Sequence, residues 1–306
     1  MDQRHHVSPI PILLLTGYLG AGKTTLLNHL LGLPFIKSKK VALIINEFGT
    51  LGVDGALVHA GDFQKFELNK GSLFCICIKT DFIKTLDTIA NEVQPDLVLV
   101  EATGVAETSD LEDFIDSPNL RGQFEIKANV CLVDAENFVK VLPFMRAARS
   151  QVEWADGMVI NKIDRVEPFV VDELQTVLRK LNAAAPVARV SYGNVADEFI
   201  SSLVHQRKRG EMATAPPANI YALSFQTEKS IDRDGFRQLL AELGTQVLRL
   251  KGVVRFAGER RFVEVIHGQY SEKDIGPDAG LPKGLTVIGW QLEREHMQKK
   301  FDQIFQ

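Results

Sequence analysis

The chain has 306 residues, of which 45% are hydrophobic and 24% are charged, and its formal net charge is −4. This composition is typical of a globular protein of one large or two medium domains, and the slight negative charge argues against bulk electrostatic binding to nucleic acid or to an anionic membrane. No apolar run approaches the roughly 20 residues of a membrane span, and the first residues lack the apolar core of a signal peptide, so we expect a cytoplasmic protein.

The first predicted strand, residues 10–16, leads into GYLGAGKTTLL, which has the form of a phosphate-binding loop (P-loop). Glycines let successive backbone N–H groups of such a loop face the phosphates, and the N-terminus of the following helix adds positive potential. We expect Lys23 to reach the β and γ phosphates and Thr24 to bind Mg²⁺, and both residues to act in catalysis. The predicted nucleotide-binding residues of the loop are Gly17, Gly20, Ala21, Gly22, Lys23, Thr24 and Thr25.

Short apolar runs alternate with helical patterns up to about residue 204, which predicts an α/β fold: a mostly parallel sheet flanked by helices. The predicted strands are 10–16, 41–46, 97–102, 128–134, 156–160 and 187–191. The predicted helices are 23–31, 80–93, 136–149 and 168–182. With its phosphate-binding loop, this order predicts a P-loop NTPase domain over residues 1–204.

The strand at 97–102 leads into the sequence EATG, which predicts the second nucleotide element. In P-loop proteins an acidic residue at such a strand end orients the Mg²⁺ shell or the attacking water, and a glycine N–H closes on the γ-phosphate. Glu101 is therefore predicted to act in catalysis, and Gly104 to bind the nucleotide.

The choice of base is predicted from NKID, in which Asn161, Lys162 and Asp164 form the pattern N-K-x-D at the end of a strand. A carboxylate there can accept hydrogen bonds from the N1–H and the exocyclic amine of guanine, and adenine offers no such pair of donors. We therefore predict that these three residues bind the nucleotide and that GTP is preferred to ATP.

A charged segment rich in alanine and proline follows at 205–219 and is the predicted linker. After it come a strand-like IYALSF, a helical pattern at about 232–249, strand-like GVVRFA, RFVEVIHGQY and LTVIGWQL, and a closing helical pattern at 293–305. This order predicts a smaller C-terminal α+β domain over residues 220–306.

Taken together, the motifs resemble the CobW-like GTPases, a family of metallochaperones. The resemblance rests on GYLGAGKTTLLNHLL, INEFG, GVDGALV, FELNKG, EATGVAE and NKID, which cover most of the first 200 residues, and more loosely on RLKGVVRF and VIHGQY near the C-terminus. It implies a GTP-hydrolysing switch that binds a transition metal, often zinc or cobalt, and delivers it to a client protein.

The family's metal-binding C-x-C-C motif is incomplete in this chain, which reads GSLFCICIKTD at that place. Cys75 and Cys77 would project to one face of an extended segment and could bind one soft metal ion. The resemblance makes Glu47 of INEFG the best third ligand. Alternatively, both cysteines are small hydrophobic residues of a buried strand, as we expect for Cys131.

Our hypothesis is a GTPase that delivers zinc, cobalt or a metal cofactor to a client metalloprotein or corrinoid protein. No glutamine or arginine finger is evident, which predicts slow intrinsic turnover that a partner or homodimer formation stimulates. One alternative is a nucleotide-gated chaperone without a metal site of its own. A P-loop kinase acting on a small molecule is another, but kinases do not need N-K-x-D.

Overall fold

The computed structural model describes residues 8–46, 63–68, 76–102, 114–142, 145–206, 220–226, 229–266, 268–275, 284–290 and 294–305. Among these residues, no helix combines the length and the apolar character needed to cross a membrane. The predicted linker at 205–219 lies almost entirely outside the described ranges, so its boundaries stay predictions.

Two sheets and the helices packed on them make up the described structure. The strands are β1 Ile10–Gly17, β2 Val41–Asn46, β3 Phe63–Leu68, β4 Leu97–Glu101, β5 Phe124–Asp134, β6 Gly157–Asn161, β7 Val187–Arg189, β8 Ile220–Phe225, β9 Ser230–Ile231, β10 Val247–Phe256, β11 Glu259–Ile266, β12 Gln269–Asp274 and β13 Gly284–Trp290. The helices are α1 Lys23–Gly32, α2 Pro34–Lys37, α3 Ile76–Thr88, α4 Phe138–Val141, α5 Arg146–Glu153, α6 Pro168–Leu181, α7 Asp197–Ser202, α8 Arg233–Leu243 and α9 Arg294–Phe305.

The N-terminal sheet has seven strands in the order β3-β2-β4-β1-β5-β6-β7, and every pairing in it is parallel. Strands β1, β4 and β6 are nearly continuous in apolar residues because helices cover both faces of a parallel sheet. The predicted α/β fold with a parallel sheet is therefore confirmed. Because parallel strands all end at the same edge, the loops after β1, β4 and β6 meet there, which is where ligands bind in open α/β sheets.

The C-terminal sheet is antiparallel in the order β12-β11-β10-β13-β8, and the short β9 adds to β10 in parallel. One of its faces packs on α8 and α9 in a cluster that includes Phe236, Val265, Val287, Met297 and Phe301. A smaller unit of strands and helices therefore follows the parallel sheet, as predicted.

Three sequence-based boundaries were wrong, each for a local reason. The predicted helix 136–149 is two helices, α4 and α5, and Pro143 stands between them, where it cannot continue a helix. The predicted helix 232–249 ends at Leu243 because Gly244 takes a left-handed φ of 49°, and β10 begins at Val247. The run predicted as one strand, RFVEVIHGQY, turns back between β11 and β12.

The predicted helix 80–93 also begins earlier, at Ile76, and its last turn, Ile89–Val93, is a π-helix. Cys77 therefore lies in the first turn of α3, and the extended segment expected for the two cysteines is wrong at this residue. Cys131 is buried in β5, as expected for a core residue.

Candidate nucleotide-binding site

The loop between β1 and α1 depends on glycines that no other residue could replace without strain. Gly17, Gly20 and Gly22 have φ angles of 136°, 76° and 103°, a region that favours glycine. A Cβ atom at Gly17 would lie 2.4 Å from the carbonyl oxygen of Leu132 on the neighbouring strand β5. One at Gly22 would lie 2.4 Å from Nδ2 of Asn161. The loop is therefore packed against the ends of two other strands.

The first residue of α1 is Lys23, whose side chain is almost fully buried. Its Nζ donates to the carbonyl oxygens of Gly17 at 2.8 Å and Tyr18 at 3.4 Å. The ammonium group is therefore bound to the backbone at the start of the phosphate-binding loop, and it belongs to the first residue of α1. Both features favour an anion at this place.

Thr24 connects the loop to the adjacent strand β4. Its Oγ1 donates to Oε1 of Glu101 at 2.9 Å, and Glu101 is only 4% exposed at the end of β4. The parallel pairing of β1 with β4 places both groups at the same edge of the sheet. A hydroxyl and a carboxylate are oxygen ligands of the kind that Mg²⁺ prefers, so these residues fit that ion.

Asn161, at the end of β6, connects three segments of the site. Its Nδ2 donates to the carbonyl oxygen of Ala21 at 2.9 Å, and its Oδ1 accepts from the backbone N–H of Gly193 at 3.0 Å. The side chain is buried, so both hydrogen bonds are shielded from water. Asn161 therefore holds the phosphate-binding loop and the turn after β7 at a fixed distance from each other.

Lys162 follows with a left-handed φ of 65°, and its Nζ lies 2.7 Å from Oδ2 of Asp134 at the end of β5. Oδ1 of Asp134 also accepts from the backbone N–H groups of Glu136 and Asn137. Burial alone would raise the pKa of Asp134, but the charge and hydrogen bond of Lys162, the side-chain amide of Asn137 and the backbone N–H of Glu136 hold that pKa below its ordinary value. The ion pair fixes the backbone immediately before Asp164.

A cleft of about 590 Å³ is lined by residues of the phosphate-binding loop, of α1, and of the end of β6 with the turn that follows it. Asp164 is exposed and lines it, in a short 3₁₀ turn after β6. The predicted residues that share the cleft are Gly20, Gly22, Lys23, Thr24, Thr25, Glu101, Asn161, Lys162 and Asp164. Residues of the C-terminal sheet, among them Arg249 and Lys251, line the same cleft from the opposite side.

Six predicted site residues are not among those that the described structure shows to line this cleft. Gly17 and Ala21 belong to the phosphate-binding loop but are not among the lining residues. Glu47, Cys75 and Gly104 lie outside the described ranges, and Cys77 is placed only as a backbone position in α3. The described residues contain no group of three or more histidine, cysteine, aspartate or glutamate side chains that could hold a metal ion.

Sequence reasoning missed Asp134 and the turn after β7. Asp134 ends an apolar strand just as Glu101 does, and that position was the available signal. Tyr192, with a φ of 56° and 74% of its surface exposed, lines the cleft beside Gly193. The sequence SYGN after the last parallel strand could have pointed to this turn.

Comparison with known proteins identifies the family of the chain. The family profile described as CobW/HypB/UreG, nucleotide-binding domain, matches residues 11–189, more than half of the chain. The chain belongs to the CobW-like P-loop GTPase family. A second profile, the cobalamin synthesis protein cobW C-terminal domain, matches residues 220–305.

Two named zinc chaperones match this chain over nearly the whole length of both proteins. The zinc chaperone YjiA of Escherichia coli is 28% identical over 96% of this chain and 98% of its own length. The zinc chaperone CobW of Sinorhizobium sp. is 26% identical over 94% of each chain. A crystal structure of the Zn(II)-bound YjiA GTPase from E. coli is 23% identical with a TM-score of 0.47, and the match covers 98% of this chain and 100% of that one.

Proposed function

We propose that this protein is a GTP-binding and GTP-hydrolysing switch whose nucleotide state controls the delivery of a transition metal, zinc or cobalt, to a client protein. The observation that carries the proposal is the meeting of a phosphate-binding loop, the Thr24–Glu101 pair and the N-K-x-D side chains in one cleft. In a chain of the CobW-like family, this combination favours a GTPase over a small-molecule kinase.

The phosphates would lie against the loop, where Lys23 neutralises charge that spreads over the γ-phosphate in the transition state. Thr24 and Glu101 would hold Mg²⁺, which would neutralise charge on the phosphate oxygens. Gly104 is the proposed N–H donor to the γ-phosphate.

Guanine would be selected by Asp164, which lines the open part of the cleft. Its carboxylate can accept from both the N1–H and the exocyclic amine of the base. Asn161 and the Lys162–Asp134 ion pair support this selection indirectly, since they hold the loop on which Asp164 stands. Adenine would leave the carboxylate without these donors, which a hydrogen-bonding site discriminates against strongly.

The metal is cargo, and its proposed ligands are Glu47, Cys75 and Cys77. Two full-length relatives are named zinc chaperones, which favours zinc, while cobalt stays open. Two thiolates and a carboxylate are fewer ligands than the four of a closed structural zinc site, as suits an ion that must be released. Thiolates stay reduced in the cytoplasm, where we place the protein. The client is a metalloprotein or corrinoid protein, and a homodimer is the other proposed assembly.

The decisive experiment is a competition titration of Zn²⁺ and Co²⁺ against a chromophoric chelator, with Mg²⁺ and either GDP or a non-hydrolysable GTP analogue. We expect tight binding of one metal with an affinity that depends on the nucleotide, because two ligands that favour one conformation change each other's affinity by the same factor. The variant C75S/C77S should lose metal binding, and GTP turnover of the wild type is measured alongside.

Asp164→Asn is the matched control, because it removes guanine selection and leaves the cysteines intact. It should bind the metal with an affinity that no longer responds to guanine nucleotides at the same concentrations. Weak metal binding that is indifferent to the nucleotide and to C75S/C77S would leave a nucleotide-gated chaperone without its own metal site. Absence of GTP turnover in the wild type would contradict the proposed hydrolysis.

A further inference from the structure

The two faces of the C-terminal sheet differ in chemistry. Side chains of β10 alternate between the faces: Leu250 packs in the apolar cluster with α8 and α9, whereas Arg249 and Lys251 line the nucleotide cleft. The same alternation on β11 puts Val265 in the cluster and Glu264 in the cleft. The polar face of the C-terminal sheet is therefore the second wall of the cleft.

This wall touches the phosphate-binding loop directly. A Cβ atom at Gly20 would lie 2.5 Å from Cγ2 of Ile266, the last residue of β11. Next to this contact, Nε2 of Gln269 donates to Oε1 of Glu136 at 3.0 Å. The side chain of Ile266 on this wall therefore lies directly against the phosphate-binding loop.

Arg249 is the cationic residue nearest to this contact in the strand register. It stands directly opposite Ile266 in the antiparallel pairing of β10 with β11, where Cβ atoms are about 5 Å apart. Its Nη2 lies 3.8 Å from Oε1 of Glu264, and its side chain is 16% exposed. Lys251 is one pleat further from Ile266, and its Nζ lies 5.8 Å from the centre of the Phe262 ring.

Arg249 differs from Arg165, the arginine of the parallel-sheet part that lines the same cleft, because the side chain of Arg165 is 54% exposed and that of Arg249 is 16% exposed. The guanidinium group is always charged, and its planar fork matches phosphate oxygens in two parallel hydrogen bonds. In GTPases that carry such an arginine in cis, it stabilises the charge of the transition state.

We propose that Arg249 contacts the γ-phosphate of bound GTP and serves as an arginine finger from within the same chain. The inference rests on the proposed GTP binding and assigns a role to a residue for which the sequence analysis predicted none. In hydrolysis, the water oxygen bonds to the γ-phosphorus as the bond to the bridging oxygen breaks. GDP leaves with that electron pair, and one proton passes to solvent. Arg249 transfers nothing and stabilises the charge on the phosphoryl oxygens.

The test compares wild type, Arg249→Ala, Arg249→Lys and the control Arg255→Ala, a half-buried arginine on the same strand that does not line the cleft. The first readout is the ratio of the Kd values for GDP and for a non-hydrolysable GTP analogue, which differ at the γ-phosphate. We expect Arg249→Ala to weaken the analogue about tenfold and GDP less than about twofold, since one charge-assisted contact is lost.

The second readout is single-turnover hydrolysis, which Arg249→Ala should slow about a hundredfold or more. Arg249→Lys should restore part of both effects, because it keeps the charge without the fork. It also serves as the test variant if circular dichroism shows that the alanine variant is unfolded. Arg255→Ala should match the wild type.

Equal weakening of GDP and analogue, or no change in either, would overturn the assignment of Arg249. A wild type that binds both nucleotides without hydrolysing GTP would contradict the proposed hydrolysis, and the Kd ratio would still decide the role of Arg249.

Discussion

Single polar residues decide how the guanine end of the cleft is built, and the ion pair of Asp134 with Lys162 is the clearest case. Because the pKa of Asp134 is lower in the folded protein than its ordinary value of 3.8, its contribution to stability is present above that value. The contribution is lost as the pH falls from there through the lower folded pKa. Asp134→Asn should therefore lower the free energy of unfolding by about 3 kcal/mol at neutral pH, since it breaks a buried pair.

Urea unfolding of the wild type and of Asp134→Asn from neutral pH down to about pH 3 measures this effect, and the difference between them should shrink below the ordinary aspartate pKa. Asp172→Asn is the control, because the ion pair of Asp172 with Arg189 is exposed on both sides. Such a pair contributes about 0.5 kcal/mol or less. A difference that stays constant over the whole pH range would contradict the assigned cause.

Sequence reasoning named residues that belong to short motifs, but it did not give the contacts that they make across the sheet edge. Lys23, Thr24 and Asp164 were predicted because each stands at a fixed place within a short motif. The hydrogen bonds of Asn161 to Ala21 and Gly193 could not be predicted, since they depend on which strand ends are neighbours. Asp134 was missed for the same reason, because its partner Lys162 directly follows the adjacent strand β6.

At the scale of elements, the turn from β1 into α1 depends most on Gly17. A methyl group there would collide with the backbone carbonyl of Leu132, which cannot move aside as a flexible side chain could, and the φ of 136° would add strain. Gly17→Ala should lower the free energy of unfolding by about 3 kcal/mol or more, as measured by urea unfolding followed by circular dichroism.

Gly32→Ala is the matched control at the other end of α1, where a Cβ atom would meet nothing within 4 Å. Alanine should stabilise this helical position by about 0.5 kcal/mol because it reduces the freedom of the unfolded chain. If Gly17→Ala and Gly32→Ala were equally stable, the packing of the loop against β5 would not be the reason that glycine is needed at Gly17.

Elements were predictable where one pattern dominated the local sequence. Runs of valine, isoleucine and leucine predicted β2, β4 and β6, since buried parallel strands are apolar on both faces. The edge strand β3, with the sequence FQKFEL, was not predicted because its polar residues break the apolar run. The helix α8 was predicted too long because a helical pattern alone does not show that Gly244 takes the positive φ with which the helix ends.

At the scale of the whole molecule, the nucleotide cleft lies between two sheets that the sequence analysis treated as separate domains. Leu248 and Ile288 of the C-terminal sheet pack in one apolar cluster with Tyr18 and Leu19 of the phosphate-binding loop. The sequence predicted strands in both parts, but strand patterns do not tell which face of one sheet meets which edge of another. The second wall of the cleft, including Arg249, was for this reason not predictable.

This packing predicts that a nucleotide stabilises both parts of the chain together. The two tryptophans report on them separately, since Trp154 follows α5 and Trp290 ends β13. Trp290→Phe leaves Trp154 as the reporter, and Trp154→Phe leaves Trp290. GDP at about a hundred times its Kd should raise the free energy of unfolding by about 2.7 kcal/mol, whichever tryptophan is followed.

Adding Ile266→Ala to each variant should reduce this GDP-induced rise more when Trp290 is followed than when Trp154 is followed, because the substitution weakens the contact with Gly20. Ile304→Ala, in α9 on the far side of the C-terminal sheet, should lower stability without separating the two shifts. In protein that retains Ile266, GDP could instead raise only the free energy of unfolding followed by Trp154. That result would mean that the two parts unfold independently and that the contact of Ile266 with the loop does not couple them.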